Sequence, residues 1–323
     1  MRRLFLPLLV TLLACLAPAV NAQTWPARPV RIVVVFPPGG SSDIVARVLA
    51  EFYGARFGQR FLVDNRPGAG GTLAALHVSQ QPPDGYTLML SNTAPIVTSP
   101  PIYPNPGYDP VRGFTHIAYI GATPMVVVAN KAAVPATDLR GLIAWARAQR
   151  TPPGYGTSGA GSVGHIVGEM FQRQTGVALI HVPYRGSGPM LADLLGGAIP
   201  LAFDTLPQNV EHIRDGRLRG YAVTSRVRQP MAPELPTVIE AGMPELLAEN
   251  WLGVAGPAGV PAPVVAALHD ATNDAIASAA VRQRLDEHGV TPAGKTQPEF
   301  AAFVAEQVRE IGGMVRALGI TAN

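Results

Sequence analysis

The chain has 323 residues, of which 47% are hydrophobic and 15% are charged, and its formal net charge is +3. This composition is typical of a well-packed globular protein and excludes a disordered chain. The small net charge gives no electrostatic basis for binding nucleic acid or an anionic membrane. We therefore expect any partner to be recognised at a local site.

Residues 1–22 are predicted to be a cleaved export signal. Two arginines follow the first methionine, residues 4–16 are apolar, and Val20-Asn-Ala22 supplies the small residues that precede a cleavage site. The apolar segment is shorter than the roughly 20 residues of a membrane-spanning helix. We expect export to the periplasm, with lipid attachment at Cys15 as the less favoured alternative.

Removal of this segment would lower the net charge to +1 and would remove Cys15, the only cysteine. The mature chain would then have no disulfide, no thiol nucleophile and no cysteine metal site. About 300 residues would remain, which is more than one compact core usually holds, so two lobes are expected. The predicted boundaries are 23–124 plus 251–323 for the first lobe and 125–250 for the second.

A first candidate anion-binding loop lies near the start of the mature chain. Residues 31–36 read Arg-Ile-Val-Val-Val-Phe, and this β-branched run predicts a strand. Residues 37–42 read Pro-Pro-Gly-Gly-Ser-Ser, and residues 43–51 have helical spacing. A small-residue loop that opens a helix presents unpaired backbone N–H groups, which bind anions. Asp43 either contacts a ligand or fixes the shape of the loop.

A second run of the same kind is Gly154-Tyr-Gly-Thr-Ser-Gly-Ala-Gly-Ser-Val-Gly-His165, which leads into a helical pattern over residues 166–174. Strand, small-residue loop and helix again follow one another, and this predicts a second anion-binding helix N-terminus. Two such loops in one chain suggest a single ligand held from two sides.

Strand and helix patterns alternate along the rest of the chain, which indicates an α/β protein with doubly wound, mainly parallel sheets. Residues 117–120 and 125–129 predict two strands that lead into the second lobe, and residues 251–255 predict the return strand. Each lobe is expected to have its own sheet, with ligands bound beyond the carboxyl ends of the strands. Residues 263–278 and 297–318 predict helices that complete the first lobe.

A dinucleotide-binding enzyme is a disfavoured alternative. Gly159-Ala-Gly-Ser-Val-Gly164 matches G-x-G-x-x-G, but that fingerprint also needs an acidic residue at the end of the next strand. That strand ends in His181-Val-Pro-Tyr184 and has no carboxylate there. The seven histidines show no pair at short metal-ligand spacing. We therefore expect neither a cofactor nor a metal.

An exported serine hydrolase is a second alternative, because residues 160–164 resemble a nucleophile elbow and His165 stands three residues after Ser162. In that fold the histidine base comes from a distant loop near the end of the chain. The simpler interpretation is that Ser158 or Ser162 caps the helix while His165 orients the loop or touches a ligand. Arg185 could pair with a ligand carboxylate, and Asp204 could clamp a loop or meet an amino group.

Several blocks together resemble one family across the whole mature chain. The chain is similar to the solute receptors of tripartite tricarboxylate transporters, often called the Bug family. The blocks that carry the resemblance are Val35-Phe-Pro-Pro-Gly-Gly-Ser-Ser-Asp43, Val63-Asp-Asn-Arg-Pro-Gly-Ala-Gly-Gly71, residues 155–165, His181-Val-Pro-Tyr-Arg-Gly-Ser-Gly188, Asp193-Leu-Leu-Gly-Gly197 and Leu235-Pro-Thr-Val-Ile-Glu-Ala-Gly242.

The resemblance implies a type II periplasmic-binding-protein fold, in which two doubly wound α/β lobes are joined by two crossing strands and hold a ligand in the cleft between them. It implies a non-catalytic receptor that captures a small carboxylate, largely through main-chain N–H groups, and delivers it to small and large membrane subunits. A ligand receptor for a signalling system is the alternative, and a monomer is expected. The identity of the carboxylate stays open.

The candidate ligand-binding residues are those that match the ligand loops of this family. They are Phe36, Pro38, Gly39, Gly40, Ser41, Ser42, Asp43, Asn92, Thr157, Ser158, Gly159, Gly161, Ser162, His165, Tyr184, Arg185, Gly186 and Asp204.

Overall fold

The structure is a computed structural model that describes residues 25–103 and 105–321. The predicted export signal and the predicted alternative of lipidation at Cys15 lie outside the described residues. Within them, no helix combines the length and the apolar character needed to cross a membrane.

The described residues form ten strands and nine α-helices. The strands are β1 Val30–Val34, β2 Phe61–Asn65, β3 Thr87–Asn92, β4 Phe114–Asn130, β5 Gly154–Thr157, β6 Ile180–Pro183, β7 Leu201–Thr205, β8 Leu218–Val223, β9 Glu249–Pro257 and β10 Thr291–Pro292. The helices are α1 Ser41–Phe57, α2 Thr72–Ser79, α3 Leu139–Arg147, α4 Val163–Thr175, α5 Ser187–Gly196, α6 Leu206–Arg214, α7 Ala262–Ala277, α8 Ala279–Glu287 and α9 Gln297–Ala317.

The predicted α/β fold with two lobes and two crossing strands is confirmed. Along the sheet the strands follow the order β2-β1-β3-β9-β4-β7-β5-β6, and β8 and β10 both pair with β4. In the first lobe β1 lies parallel to β2 and β3, and in the second lobe β5 lies parallel to β6 and β7. The crossing strands β4 and β9 pair antiparallel with each other and with their neighbours in each lobe.

Strand β4 differs from the sequence expectation, which placed two short strands in this region. It is a single strand of 17 residues. Its first part pairs with β9 as far as Pro124, opposite Glu249, and from Met125 onward it pairs with β7 and β8. The expected separate sheets are therefore one continuous ten-stranded sheet, because β4 belongs to both lobes.

Each lobe buries its own apolar core against this sheet. In the first lobe α1 and α7 pack on one face, where Tyr53 is fully buried and its hydroxyl lies 2.6 Å from Thr272 Oγ1. In the second lobe Tyr155, Phe171 and Phe203 are buried together beneath α4. Burying one such side chain contributes about 1.5–3 kcal/mol, so both cores hold the strand ends in fixed positions.

Helix α9 returns to the first lobe and packs against β4. It begins with a capping box, in which Thr296 and Glu299 each accept a hydrogen bond from the other's backbone N–H group. Phe300 then fills the space above Gly253, where an added Cβ atom would lie 2.4 Å from the ring. The C-terminal helix thus covers the crossing strands.

Candidate ligand-binding cleft

A cavity of about 240 Å³ lies between the two lobes, beyond the carboxyl ends of β1, β6 and β7. It adjoins a second cavity of about 550 Å³ on the same cleft. The residues that line both cavities are Phe36, Pro37, Ser158, Ser162, Arg185 and Gly186. The cleft therefore takes its walls from both of the loops that the sequence singled out.

Four helices begin at the smaller cavity. Their N-cap residues are Gly40 for α1, Ser162 for α4, Gly186 for α5 and Thr205 for α6, and all four line it. Only Ser162 caps its helix with its side chain. The first N–H groups of a helix have no partner within the helix and carry partial positive charge, so four such ends facing one cavity favour an anion.

Ser41 lines the same cavity at the start of α1. The residue is 92% buried, and its Oγ atom has no hydrogen-bond partner within the described residues. A buried hydroxyl without a partner costs free energy, which a ligand acceptor would offset.

Asp43 lies behind this loop and does not line either cavity. Its carboxylate accepts hydrogen bonds from the Gly39 N–H group, from two guanidinium nitrogens of Arg47 and from Asn65 Nδ2, each at 3.0 Å. Burial raises the pKa of Asp43, but the hydrogen bonds from Arg47, Gly39 and Asn65 outweigh it and hold the pKa below its ordinary value. Asp43 thus fixes the loop, which is one of the two roles considered from sequence.

The second loop, residues 158–162, is called the glycine loop below. Two of its glycines have positive φ angles, +141° at Gly159 and +79° at Gly161, which L side chains rarely adopt. Side chains from the first lobe bond to its carbonyl oxygens: Thr98 to Gly161 at 2.6 Å and Tyr103 to Ala160 at 3.2 Å. The glycine loop is therefore bonded across the cleft as well as to its own lobe.

His165 lies beneath the glycine loop and is 4% exposed. Its Nδ1 atom accepts a hydrogen bond of 3.1 Å from the Gly161 N–H group, and its backbone N–H group donates to Ser162 Oγ. The imidazole ring is therefore not placed as a base for Ser162, and this geometry disfavours the hydrolase alternative. Among the described residues, no three histidine, cysteine or acidic side chains form a metal site.

Arg185 is exposed at the carboxyl end of β6 and lines both cavities. It makes no hydrogen bond or ion pair with the described residues, and it is the only charged side chain among those lining either cavity. A free guanidinium at this point can pair with a carboxylate in bidentate geometry.

Asp204 is buried at the end of β7 and lies outside both linings. Its oxygens accept hydrogen bonds from Ser187 Oγ at 2.7 Å and from Asn209 Nδ2 at 3.0 Å. Burial raises the pKa of Asp204, and these hydrogen bonds lower it only in part. Asp204 thus holds the first turns of α5 and α6, the loop-clamping role considered from sequence.

The predicted site residues fall into three groups by position. Ten line the smaller cavity: Phe36, Pro38, Gly39, Gly40, Ser41, Ser42, Ser158, Ser162, Arg185 and Gly186. Gly159 and Tyr184 line only the adjoining cavity. Six line neither cavity: Gly161 belongs to the glycine loop itself, and the other five are Asp43, Asn92, Thr157, His165 and Asp204.

Sequence reasoning missed part of the lining, chiefly Ser187, Thr205, Gln208 and Asn250. Ser187 lies in the segment His181–Gly188 that carries the family resemblance, and its position at the start of a helix could have identified it as a lining residue. Thr205 ends β7 and Gln208 lies in α6, which follows β7 without a loop, so no turn signal marks this junction in the sequence. Asn250 comes from the crossing strand β9, and nothing local distinguishes it.

Comparison with known proteins identifies the family. Residues 45–320 match the model described as the tripartite tricarboxylate transporter family receptor. The chain belongs to this family. The family consists of binding proteins rather than enzymes, and the predicted resemblance is thereby confirmed.

Individual relatives agree over nearly the full length of the chain. The protein BugT of Bordetella pertussis strain Tohama I is 36% identical over 307 residues, which cover 95% of this chain and 94% of BugT. A solved R. palustris structure described with adipate is 35% identical, with a TM-score of 0.87, and the match covers 92% of this chain and 99% of that one. MatC from Rhodopseudomonas palustris with bound malate is 30% identical, with a TM-score of 0.83 and coverage of 90% and 100%.

Proposed function

We propose that this tripartite tricarboxylate transporter receptor captures a small organic carboxylate between its lobes, in the periplasm, and delivers it to the small and large membrane subunits of its transporter. The observation that carries the proposal is the meeting of four helix N-termini at one cavity where Arg185 is the only charged lining side chain among the described residues. Partial positive charges and one guanidinium favour an anion with more than one carboxylate.

The cleft also argues against an amino acid as the ligand. An ammonium group buried in the cleft would need a carboxylate partner. Asp43 and Asp204 are each adjacent in sequence to a lining residue, and both carboxylates are already occupied, Asp43 by Arg47, Gly39 and Asn65, and Asp204 by Ser187 and Asn209. The preferred ligand is therefore a carboxylate without an amino group, and the adipate and malate described with two relatives meet this condition.

Capture by closure requires two units that move against each other. We propose that residues 23–124 with 251–323 form one unit and residues 125–250 the other, so that the ligand holds them together. This division coincides with the exchange of β4 partners between Pro124 and Met125. The receptor is expected to act as a monomer, which light scattering with and without ligand would test.

A thermal-shift panel is the direct test. Adipate, malate, tricarboxylates, aromatic acids and acidic amino acids are added to the purified protein, because a ligand that binds only the folded state raises the melting temperature. We expect stabilisation by a dicarboxylate and a smaller effect of its 2-amino analogue. Stabilisation by none of these acids, together with turnover of an ester, would favour the hydrolase instead.

Arg185→Gln tests the charge requirement. Without the guanidinium, affinity for the best dicarboxylate is expected to fall about tenfold or more, since a charge-assisted hydrogen bond contributes about 1.5–3 kcal/mol. Arg140→Gln is the matched control, because Arg140 is exposed on α3 far from the cleft. Equal affinity of both variants would remove Arg185 from the proposed site.

A further inference from the structure

Two histidine rings are stacked directly beneath the glycine loop. The rings of His165 on α4 and His181 on β6 have centroids 3.8 Å apart and planes inclined by only 8°. The Tyr155 ring stacks on His181 at 5.0 Å with an inclination of 29°. His165 and Tyr155 are buried, and His181 is half-buried. The three rings thus form one stack that supports the loop from below.

Each histidine is connected to one of the two glycines with positive φ. The Gly161 N–H group donates to His165 Nδ1 at 3.1 Å. His181 Nε2 lies 2.7 Å from Thr157 Oγ1, which in turn lies within 3.2 Å of both the N–H group and the carbonyl oxygen of Gly159. The ring pair therefore determines where both glycines are held, although neither ring reaches the cavity.

The geometry requires a neutral His165 ring and excludes a positive charge on both rings at once. His165 Nδ1 can accept the Gly161 hydrogen bond only without a proton, and two imidazolium ions cannot lie 3.8 Å apart in a buried site. Burial lowers the pKa of His165 to about 3, assisted by His181, and burial lowers the pKa of His181 to about 4.

The charged and titratable groups around the pair come from four elements, α4, β5, β6 and β7. Glu169, one turn along α4, has Oε1 3.9 Å from His165 Nε2, and it already accepts hydrogen bonds from Tyr155 on β5 and from Gln172. From β6 the only such group is His181, while Asp204 on β7 is bonded to Ser187 and Asn209. Among the described residues, Glu169 is the one carboxylate within 4.0 Å of a ring nitrogen of the pair, so it is the group that would favour a protonated ring.

Building on the proposed function, we propose that the His165–His181 pair positions the glycine loop for the ligand, so that carboxylate binding weakens as the pH falls. A proton on His165 Nδ1 would turn the acceptor into a donor that opposes the Gly161 N–H group. The loop that carries Ser158 and Ser162 would then leave the ligand. A buried imidazolium would also attract the anion, but it lies behind the loop, so we expect the loss of loop geometry to dominate.

The size of the effect follows from the ordinary titration of histidine. Once the loop is displaced and the rings meet water, a pKa near 6.5 leaves about one molecule in 30 neutral at pH 5. Binding needs the neutral, ordered loop, so the apparent affinity at pH 5 should be up to about 30-fold weaker than at pH 8. Adipate and malate, titrated calorimetrically, are the probes.

His165→Asn separates positioning from protonation, because an asparagine amide oxygen can accept the Gly161 hydrogen bond and cannot be protonated at these pH values. This variant should retain affinity at pH 8 and lose most of the difference between pH 8 and pH 5. His165→Ala removes the acceptor and should bind weakly at both pH values. A steep pH dependence that persists in His165→Asn would overturn the proposal, as would affinity that rises on acidification.

His116→Asn is the matched control. His116 is also a buried histidine whose pKa burial lowers to about 4, but it lies on β4 beside Pro110 and away from the glycine loop. Its replacement should change acid stability and leave the pH dependence of affinity as in the wild type. If His116→Asn and His165→Asn changed the pH dependence of affinity equally, the ring pair would have no specific role in positioning the loop and would only contribute to stability.

Hydrogen exchange in the ligand-free protein tests the role of the ring pair independently of the ligand class. Hydrogen exchange of the Gly161 amide in the ligand-free protein should accelerate between pH 8 and pH 5, after correction for the intrinsic rate, in the wild type but not in His165→Asn. If exchange at Gly161 accelerates as expected but neither adipate nor malate binds, the proposed ligand class is wrong, and the role of the ring pair in positioning the loop is still supported. Unchanged protection of Gly161 in the wild type would reject the ring pair itself.

Discussion

Thr98 Oγ1 lies 2.6 Å from the carbonyl oxygen of Gly161, so a side chain of the first lobe is hydrogen-bonded to the glycine loop of the second. Ser99 Oγ contacts the same oxygen at 3.1 Å and also donates to Gly70. This contact leaves no room for a side chain at residue 161. An added Cβ atom there would lie 2.5 Å from Ser99 Oγ and 3.2 Å from its Cα atom.

Gly161→Val should therefore abolish ligand binding while the fold persists. The φ of +79° costs a β-branched residue about 1–3 kcal/mol, and relief of the clash must displace the glycine loop. Calorimetry with the best dicarboxylate and circular dichroism are the measurements. Gly196→Ala, at an exposed helical position with no atom near the added Cβ, is the control and should bind normally. Normal binding by Gly161→Val would remove the loop from the site.

Ser41→Ala should weaken binding about tenfold without lowering the melting temperature of the free protein. The Ser41 hydroxyl has no hydrogen-bond partner among the described residues, so its removal breaks none of their hydrogen bonds, whereas ligand binding loses about 1–1.5 kcal/mol. Ser79→Ala serves as the control, since that hydroxyl bonds to Leu76 at the far end of α2. A fall in melting temperature without a change in affinity would show that Ser41 is structural.

Asp43→Asn should lower both stability and affinity. The substitution removes the bidentate pair with Arg47 and weakens the bond from Gly39, so we expect the free energy of unfolding to fall by about 2 kcal/mol. Asp84→Asn is the comparison, because Asp84 pairs with Arg28 on the surface and should change stability by about 0.5 kcal/mol or less. Equal effects of the two substitutions would contradict the role of Asp43 in the loop.

The protein should lose stability as the pH falls from 7 to 5. The pKa values of His116, His165 and His181 are lowered while the folded structure holds these rings in place, so the unfolded chain binds more protons below about pH 6.5. Protonation that accompanies displacement of the glycine loop would remove the contributions of His165 and His181 but not that of His116. The free energy of unfolding therefore decreases on acidification, by up to about 1.4 kcal/mol per pH unit for each histidine. Urea titrations at several pH values measure the slope, which His116→Asn should reduce. A flat slope in the wild type would mean that these histidines are protonated in the folded protein.

The loops that line the cleft were easier to predict from the sequence than the buried side chains that hold these loops in place. Residues 37–42 and the glycine loop were recognisable because small residues between a strand and a helix are a local signal. The ring stack under the glycine loop could not be recognised from the sequence, since His165 and His181 belong to different elements and only the fold brings their rings together. The roles of Asp43 and Asp204 were left open for the same reason.

The length of strand β4 could not be predicted from local sequence. The sequence predicted two strands here, residues 117–120 and 125–129, and in the structure the pairing between them is disturbed by a register shift next to Gly121. The chain nevertheless continues in extended conformation because β9 lies alongside it on one side of Pro124 and β7 and β8 pair with it on the other. Neighbours distant in sequence thus determine the length of this strand.

The continuity of β4 restricts how the two lobes can move. Two flexible loops would let the lobes rotate about many axes. Two hydrogen-bonded extended strands can bend out of the plane of their sheet, but their hydrogen bonds resist sliding of one strand along the other. Pro124, which has no N–H group to donate, stands opposite Glu249 where the bend would be easiest. Opening and closing should therefore follow one axis, and each carboxylate would enter and leave the cleft by the same path.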